Sequence, residues 1–138
     1  MERLLLEIVT PERKVLTREV DEVNLPGVNG EMGILPGHTE LLSVLRPGPL
    51  TFRDGQDTDL YSIAGGFAEV GHEKVVVLAD AAESAAEIDI ARAEAALGKA
   101  EKKISDLEVS DESYAHAEAA FARASVRIEI AGMVRDRR

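Results

Sequence analysis

The sequence predicts an α+β protein in which an N-terminal antiparallel β-sandwich or barrel is followed by an antiparallel hairpin of two helices. As far as about residue 80, short apolar stretches alternate with turn signals about every 8–12 residues, a pattern typical of antiparallel sandwiches and barrels. Beyond Ala79 alanine dominates, and apolar residues recur three and four positions apart. We therefore divide the chain into a β-domain, 1–86, and a helical domain, 87–138.

The strand candidates of the first half are separated by glycine and proline. A first pair lies on either side of Pro11, around residues 4–8 and 15–16. The others cover residues 20–25, 30–35, 50–53, 60–64, 67–70 and 75–79. Asp54-Gly55 predicts a two-residue hairpin of type I′, because both central positions of that turn need positive φ.

The second half carries one apolar stripe on each of two helices. The stripes consist of Ile90, Ala93, Leu97, Ala100, Ile104 and Leu107, and of Tyr114, Ala117, Phe121, Ala124, Ile128 and Ala131. The first helix has two candidate starts, a capping box of Ser84 with Glu87 and an N-cap at Asp89. Ser110 is the candidate N-cap of the second. Alanines bury little area each, so we expect a marginal hairpin that can move.

Composition restricts the classes of function. The 138 residues include no cysteine, which excludes thiol catalysis and thiolate metal sites. The net charge of −10 argues against nucleic acid as a partner, because phosphate binding rests on cations. Up to Ile88 there are 16 acidic and 7 basic residues, and thereafter 10 and 9. No signal peptide or membrane span is predicted, so any association with a membrane is expected to be indirect.

The motifs favour binding over catalysis. The glycines of residues 27–33 lack the spacing of a nucleotide-binding loop and are better explained by tight turns. No two of His38, His72 and His116 have the spacing of a helical metal site. His38 could be combined with a serine and an acidic residue into a catalytic triad, but the same is true of most sequences. We therefore predict no catalytic residue and no metal ligand.

Arginines of the helical half form the most distinctive cluster. Arg123 and Arg127 stand four residues apart on one face of the second helix, and an antiparallel hairpin brings Arg92 opposite Arg127. Three guanidiniums around one groove suit a polyanion. Surface ion pairs with Glu94 or Glu118 are the alternative explanation, and the spacing alone leaves both open.

Three segments resemble the epsilon subunit of bacterial F-type ATP synthase over essentially the whole chain. They are residues 30–38 with Gly-Ile-Leu-Pro-Gly-His, residues 64–70 with Gly-Gly-Phe, and the helix start Ile88-Asp89 followed by Arg92-Ala93. The resemblance implies a sandwich of two five-stranded sheets followed by a helical hairpin. It also implies a non-catalytic rotor subunit, at the cytoplasmic face of the bacterial plasma membrane, that serves ATP synthesis.

The resemblance further implies partners. The sandwich would dock on the gamma subunit and on the c-ring, with Gly30, Glu31 and Met32 facing the c-ring and His38 near gamma. The hairpin would either fold down or extend into the catalytic head of alpha and beta subunits, where it would inhibit ATP hydrolysis.

The resemblance also implies a regulatory ligand, although no cofactor is required. Some members of the family bind ATP in the folded hairpin. The matching residues here are Glu83, Asp89, Arg92, Arg123 and Arg127. Lys99 departs from the family pattern, because nucleotide-binding relatives tend to carry arginine at this position. A lysine keeps the charge but lacks the planar guanidinium that binds phosphate oxygens in pairs.

Overall fold

The computed structural model describes residues 2–136, and the chain divides into two compact units, Met1–Ser84 and Ala85–Arg138. This described part forms ten strands, one short 3₁₀ helix and two α-helices. The strands are β1 (Leu4–Val9), β2 (Lys14–Val20), β3 (Glu22–Gly27), β4 (Gly30–Ile34), β5 (Leu41–Leu45), β6 (Gly48–Asp54), β7 (Asp57–Ile63), β8 (Gly66–Val70), β9 (Lys74–Ala79) and β10 (Ala82–Ser84). The 3₁₀ helix is Ala85–Glu87, and the α-helices are α1 (Ile90–Asp106) and α2 (Glu112–Asp136).

The strands of the first unit are hydrogen-bonded into one ten-stranded sheet, which divides into two five-stranded halves that we call the first and the second sheet. The first sheet has the order β10-β7-β6-β3-β4, and the second has the order β5-β8-β9-β1-β2. They are joined where the ends of β3 and β5 meet, at the pair Gly27 and Leu45. The predicted sandwich and the helical hairpin that follows it are thereby confirmed.

The core of the sandwich follows from the alternation of side chains along each strand. In β1, Leu4, Leu6 and Ile8 are fully buried, whereas the residues between them are partly exposed. The core also contains Val20, Val23, Leu25, Ile34, Leu45, Leu50, Phe52, Ile63, Ala68, Val70, Val75, Val77 and Ala79. Burial of each large side chain contributes about 1.5–3 kcal/mol, so this interior is the main source of stability.

The sandwich is not antiparallel throughout, which corrects the prediction. Within residues 2–136, β1 pairs with β9 in parallel, with Leu6 beside Val75 and Ile8 beside Val77, while the other ladders are antiparallel. Parallel neighbours need a long connection. The whole chain from β2 to β8 lies between these two strands, so that requirement is met.

Two local predictions need correction. The strand predicted over residues 20–25 breaks at Asp21, where the chain leaves the second sheet and enters the first. The turn predicted at Asp54-Gly55 has Gly55 and Gln56 at its centre, because Asp54 pairs with Asp57. Gly55 has φ +65°, whereas no described non-glycine residue has positive φ. A glycine at the first central position is the type II′ arrangement, not type I′.

Two strands were missed, each for a physical reason. β5 is apolar on both faces, with Leu42 and Val44 outward and Leu45 inward, so it lacks the alternation that marks a half-buried strand. β10 is only three residues long and carries no apolar pattern.

Gly66 occupies a position that no other residue could fill without displacing the backbone. Its φ is +134°, and a Cβ built there would lie 2.1 Å from the carbonyl oxygen of Leu78 in the neighbouring strand. Gly66 therefore permits the close approach of β8 to β9 and explains the Gly-Gly-Phe segment.

The second unit is a hairpin of α1 and α2. Asp89 caps α1, since its carboxylate accepts a hydrogen bond from the backbone N–H of Arg92 at 3.0 Å. Of the two predicted starts, the one at Asp89 is therefore correct. The cap of α2 is Asp111 rather than Ser110, because Asp111 immediately precedes the helix and accepts from the N–H of Ser113 at 2.9 Å.

Small side chains line the helix–helix seam. The buried residues on the two predicted stripes are Ala93, Ala100, Ala117, Ala124 and Ala131, and every other stripe residue is partly buried. On each helix the buried alanines stand seven residues apart, which is the repeat of antiparallel helices in close contact. The predicted alanine seam is confirmed. Ile130 is also buried, although it lies outside the predicted stripe.

A network of ion pairs links strands of both sheets at one edge of the sandwich. Arg18 of β2 reaches Asp54 of β6 at 3.0 Å and Asp59 of β7 at 3.1 Å, and its guanidinium lies 5.5 Å from the centre of the Phe52 ring. Arg3 also bonds Asp54. These hydrogen bonds, first from Arg3 and then from Arg18, lower the pKa of Asp54 below its usual value.

Asp54→Asn tests this network through the pH dependence of stability. A carboxylate whose pKa is lowered on folding stabilises the native state above its unfolded pKa of about 3.9, and that contribution is lost as the pH falls through the folded pKa. We expect the wild type to lose stability more steeply than Asp54→Asn below about pH 4. The measurement is the midpoint of urea denaturation against pH. Equal slopes for the wild type and Asp54→Asn would contradict the assignment.

Candidate partner-docking site

The outer face of the second sheet exposes a continuous apolar surface. Strands β5, β8 and β9 turn one set of side chains into the core and the alternate set outward. Leu42 is 70% exposed, Phe67 50%, Leu78 48% and Val44 47%. Large contiguous apolar surfaces on soluble proteins mark interaction sites.

The strand register places these side chains in two rows across the sheet. One row runs Val44, Phe67, Leu78 and Val9, with each residue directly paired to the next. The other runs Leu42, Glu69, Val76 and Glu7. Directly paired side chains lie about 4.5–5.5 Å apart at Cβ, so the rows form one surface rather than isolated contacts. We call the eight residues of these rows the docking face.

The charged residues of the docking face differ in their surroundings. Glu7 faces Lys74 at 3.6 Å and Lys14 at 4.0 Å. Glu69 is exposed, and its side chain has neither an ion pair nor a hydrogen bond within residues 2–136. The face therefore combines six apolar residues with two carboxylates, of which, among the described residues, Glu7 is paired and Glu69 is not.

Sequence reasoning missed most of this face. It identified Phe67 only within the Gly-Gly-Phe segment and did not single out Leu42, Val44 or Leu78 as surface residues. The available signal was the unbroken apolar run Val75–Ala79 in β9, together with the mostly apolar β5, which only Ser43 interrupts. Strands covered on both sides are apolar without alternation.

The residues predicted to face a c-ring lie together at one end of the first sheet. β3 and β4 form a hairpin whose two-residue turn is Val28-Asn29, and Gly30 and Glu31 follow it in exposed positions. Met32 is half-buried and packs against the core. Glu31 makes no ion pair with the described residues, so the end of this hairpin offers a free carboxylate beside the exposed Val28.

His38 lies in the loop between β4 and β5. It is half-buried, and its Nδ1 lies 2.6 Å from the carbonyl oxygen of Thr39, which makes Nδ1 the protonated nitrogen. The N–H of Gly37 donates to the carbonyl oxygen of His72 at 2.7 Å, so this loop is tied to the turn between β8 and β9. His38 therefore stands in a fixed loop that leads directly into β5 of the docking face.

The predicted nucleotide-binding residues are distributed over both units. Glu83 lies in β10, where it pairs with Ser62. The carboxylate of Asp89 serves as the helix cap. Arg92 and Arg123 are exposed, and their guanidiniums have no ion pair with Glu94, Glu118 or any other described residue. Arg127 is half-buried.

Two of the three hairpin arginines stand at the same height, and the third lies about one turn away. Arg92 precedes the buried Ala93, and Arg123 precedes the buried Ala124. Ala93 and Ala124 are each about 13–14 residues from the helix connection, which is about 20 Å at 1.5 Å per residue. Arg92 lies 14 residues before the end of α1 and Arg127 lies 15 residues after the start of α2, so these two are level with each other. Arg123 lies about one turn nearer the connection.

Neither a metal centre nor a membrane-spanning helix is found in residues 2–136. The described side chains include no group of three histidine or acidic residues placed to hold a metal ion. Neither α1 nor α2 is long and apolar enough to cross a bilayer.

A sandwich with one exposed apolar face, followed by an alanine-packed hairpin, has the features of a protein that binds other proteins. The family profile for the β-sandwich domain of the ATP synthase Delta/Epsilon chain matches residues 3–85, and the profile for the long α-helix domain of the same chain matches residues 86–132.

Individual relatives agree with these profiles. The ATP synthase epsilon chain of Herpetosiphon aurantiacus is 49% identical over 132 residues, with 96% of each chain covered. ATP synthase epsilon chain 2 of Syntrophotalea carbinolica is 45% identical over 131 residues, with 95% of each covered.

Solved structures show the same fold. A chain of the Euglena gracilis mitochondrial ATP synthase (OSCP/F1/c-ring, rotational state 1) superposes with a TM-score of 0.79 at 27% identity, covering 96% of this chain and 82% of that one. A chain of the Tetrahymena thermophila mitochondrial ATP synthase (central stalk/c-ring) gives 0.63 at 17% identity, covering 95% and 99%. The chain therefore belongs to the ATP synthase Delta/Epsilon family. Its homologues are epsilon chains, which are accessory subunits of the central stalk and not the catalytic ones.

Proposed function

We propose that the chain is a rotor subunit of a proton-translocating F-type ATP synthase, held on the gamma subunit through the docking face. The exposed apolar face of the second sheet carries this proposal. Covering apolar surface contributes about 25 cal/mol per Å², and Leu42, Val44, Phe67 and Leu78 all remain to be covered. The face spans four strands, so its natural occupant is another protein surface rather than a small ligand.

The hairpin of β3 and β4 supplies the second contact, with the c-ring. Gly30, Glu31 and Met32 stand at or just behind its end, and the small turn lets it reach a neighbouring surface. Glu31 is an exposed carboxylate suited to the polar loops of a partner. Two contacts, one to gamma and one to the c-ring, transmit torque from the membrane ring to the catalytic head. His38, in the loop entering β5, borders the gamma contact.

The hairpin of α1 and α2 regulates ATP hydrolysis in this proposal. Its seam consists of buried alanines, each of which buries little area, so separation of the helices costs less than in a leucine seam. An extended hairpin reaches the alpha and beta subunits and blocks hydrolysis, whereas the folded hairpin does not. The subunit works at the cytoplasmic face of the bacterial plasma membrane, as a peripheral part of the complex.

ATP acts as a regulatory ligand of the folded hairpin. Arg92 and Arg123 stand about one turn apart in height on neighbouring helices. Their guanidiniums lack ion pairs within residues 2–136, so both remain available to phosphate oxygens. Arg127, Asp89 and Glu83 complete the set. ATP shifts the balance towards the folded hairpin because it binds that state better.

Phe67→Ser tests the docking face. Phe67 is half exposed, so the substitution should leave the fold intact while it removes the central apolar side chain of one row. We expect binding to the isolated gamma subunit to weaken by about 2–4 kcal/mol, measured by calorimetry. Val109→Ser, at a 79% exposed apolar residue of the helix connection, is the matched control and should bind normally. Unchanged affinity of Phe67→Ser would refute docking through this face.

Ala124→Leu tests regulation by the hairpin. Ala124 is 3% exposed in the seam, and a larger side chain there should destabilise the folded hairpin by about 1–3 kcal/mol. We expect lower ATP hydrolysis by the reconstituted complex, because more subunits are extended. Ala122→Leu, at an exposed position of the same helix, should hydrolyse ATP at the wild-type rate. If Ala124→Leu had a lowered melting temperature but hydrolysed ATP at the wild-type rate, the stability of the hairpin would not control hydrolysis. That result would contradict the proposal.

Arg92→Ala tests ATP as a ligand. A ligand that binds the folded state raises the melting temperature by mass action, and millimolar ATP should do so for the wild-type protein. Arg92→Ala should abolish the shift, whereas Lys102→Ala, which removes another exposed cation of α1, should retain it. Absence of both a melting shift and a heat of binding for the wild type would overturn this part of the proposal.

A further inference from the structure

One end of the docking face contains an acidic groove. Its volume is about 600 Å³, and its lining includes Glu40, Leu42, Glu69, Lys74 and Val76. Leu42 and Val76 flank Glu69 directly in the strand register, so the carboxylate stands between two apolar neighbours. The groove thus has apolar walls and acidic groups at the same place.

The cation in this groove is already engaged. Lys74 lies 3.6 Å from Glu7. The side chains of Glu40 and Glu69 have no ion pair or hydrogen bond to any residue between 2 and 136. The carboxylates of Glu40 and Glu69 are consequently not paired with any described cation, although they stand beside the apolar side chains of Leu42 and Val76.

A purely apolar partner would be a poor match for this surface. Closing an interface over Glu69 removes water from its carboxylate, and a buried charge without a partner costs several kcal/mol. A long basic side chain removes that penalty, since its carbon stem packs on apolar residues while its charged head meets the carboxylates.

We propose that the groove receives an arginine or lysine side chain of the docking partner, with its stem against Leu42 and Val76 and its charge between Glu40 and Glu69. This inference rests on the proposed docking to gamma, and it adds Glu69 as a residue that determines the specificity of that docking. Glu69 is the centre of the contact because it lies within the apolar rows, whereas Glu40 stands at the margin.

The test compares charge-neutral variants in binding to the isolated gamma subunit over a range of salt concentrations. Glu69→Gln keeps the size of the side chain and should raise Kd by about tenfold or more at low salt, because it leaves the partner's cation unpaired. Its salt dependence should be shallower than that of the wild type. Glu69→Lys should weaken binding further, and Glu40→Gln should have a smaller effect. Asp57→Asn, on the first sheet, removes the same charge elsewhere and should bind as the wild type does.

Phe67→Ser distinguishes the two possible failures. If Phe67→Ser weakens binding but Glu69→Gln and Glu69→Lys do not, the docking face stands and the acidic groove is refuted. If Phe67→Ser also binds normally, the docking face itself is wrong and the inference falls with it. If Glu69→Gln and Asp57→Asn lost the same affinity, the loss would be explained by the net charge of the protein rather than by the groove. That result would likewise overturn the proposal.

Discussion

Burial of side chains between the two five-stranded sheets is the interaction on which the sandwich depends. The ladders of the two sheets meet near Gly27 and Leu45, and Arg18 links the sheets through Asp54 and Asp59 at one edge. Between these places the sheets are held by their apolar interior. This interior requires every strand to keep its inward face apolar, and the register therefore determines what remains outside. The outward residues of β5, β8 and β9 do not contribute to this interior. Their apolar character points to a use in binding.

The two units obtain their stability in different ways. Large aliphatic side chains and Phe52 fill the sandwich, which makes it the rigid part. The hairpin is held by alanines at seven-residue intervals, and its helices depend more on capping by Asp89 and Asp111. In the proposed function, docking is therefore assigned to the sandwich and movement to the hairpin, which are separate units of one chain.

Much of this architecture could be predicted from the sequence, because folding itself imposes the patterns. Alternation in β1 and the stripes of the two helices reflect burial directly. β5 was missed because Leu42 and Val44 are apolar for a reason other than the core, which removes the alternation. The parallel pairing of β1 with β9 was missed because it depends on the path of the whole chain. The docking face is formed by four strands far apart in sequence, so the register was needed before its rows could be seen. The contacts of the residues around Gly30 and of His38 stay predictions, made from contiguous motifs through the family resemblance.

The exposed face has a consequence for the protein before assembly. A newly made chain presents Leu42, Val44, Phe67 and Leu78 to the surrounding solution, and surfaces of this kind promote self-association. Supply of the subunit in excess of its partner would leave such chains to chaperones and proteases. The unpaired Glu69 in the middle of the face opposes stacking of two identical copies, because like carboxylates would meet there. The same carboxylate that selects a partner would thus protect the solitary chain from binding to itself.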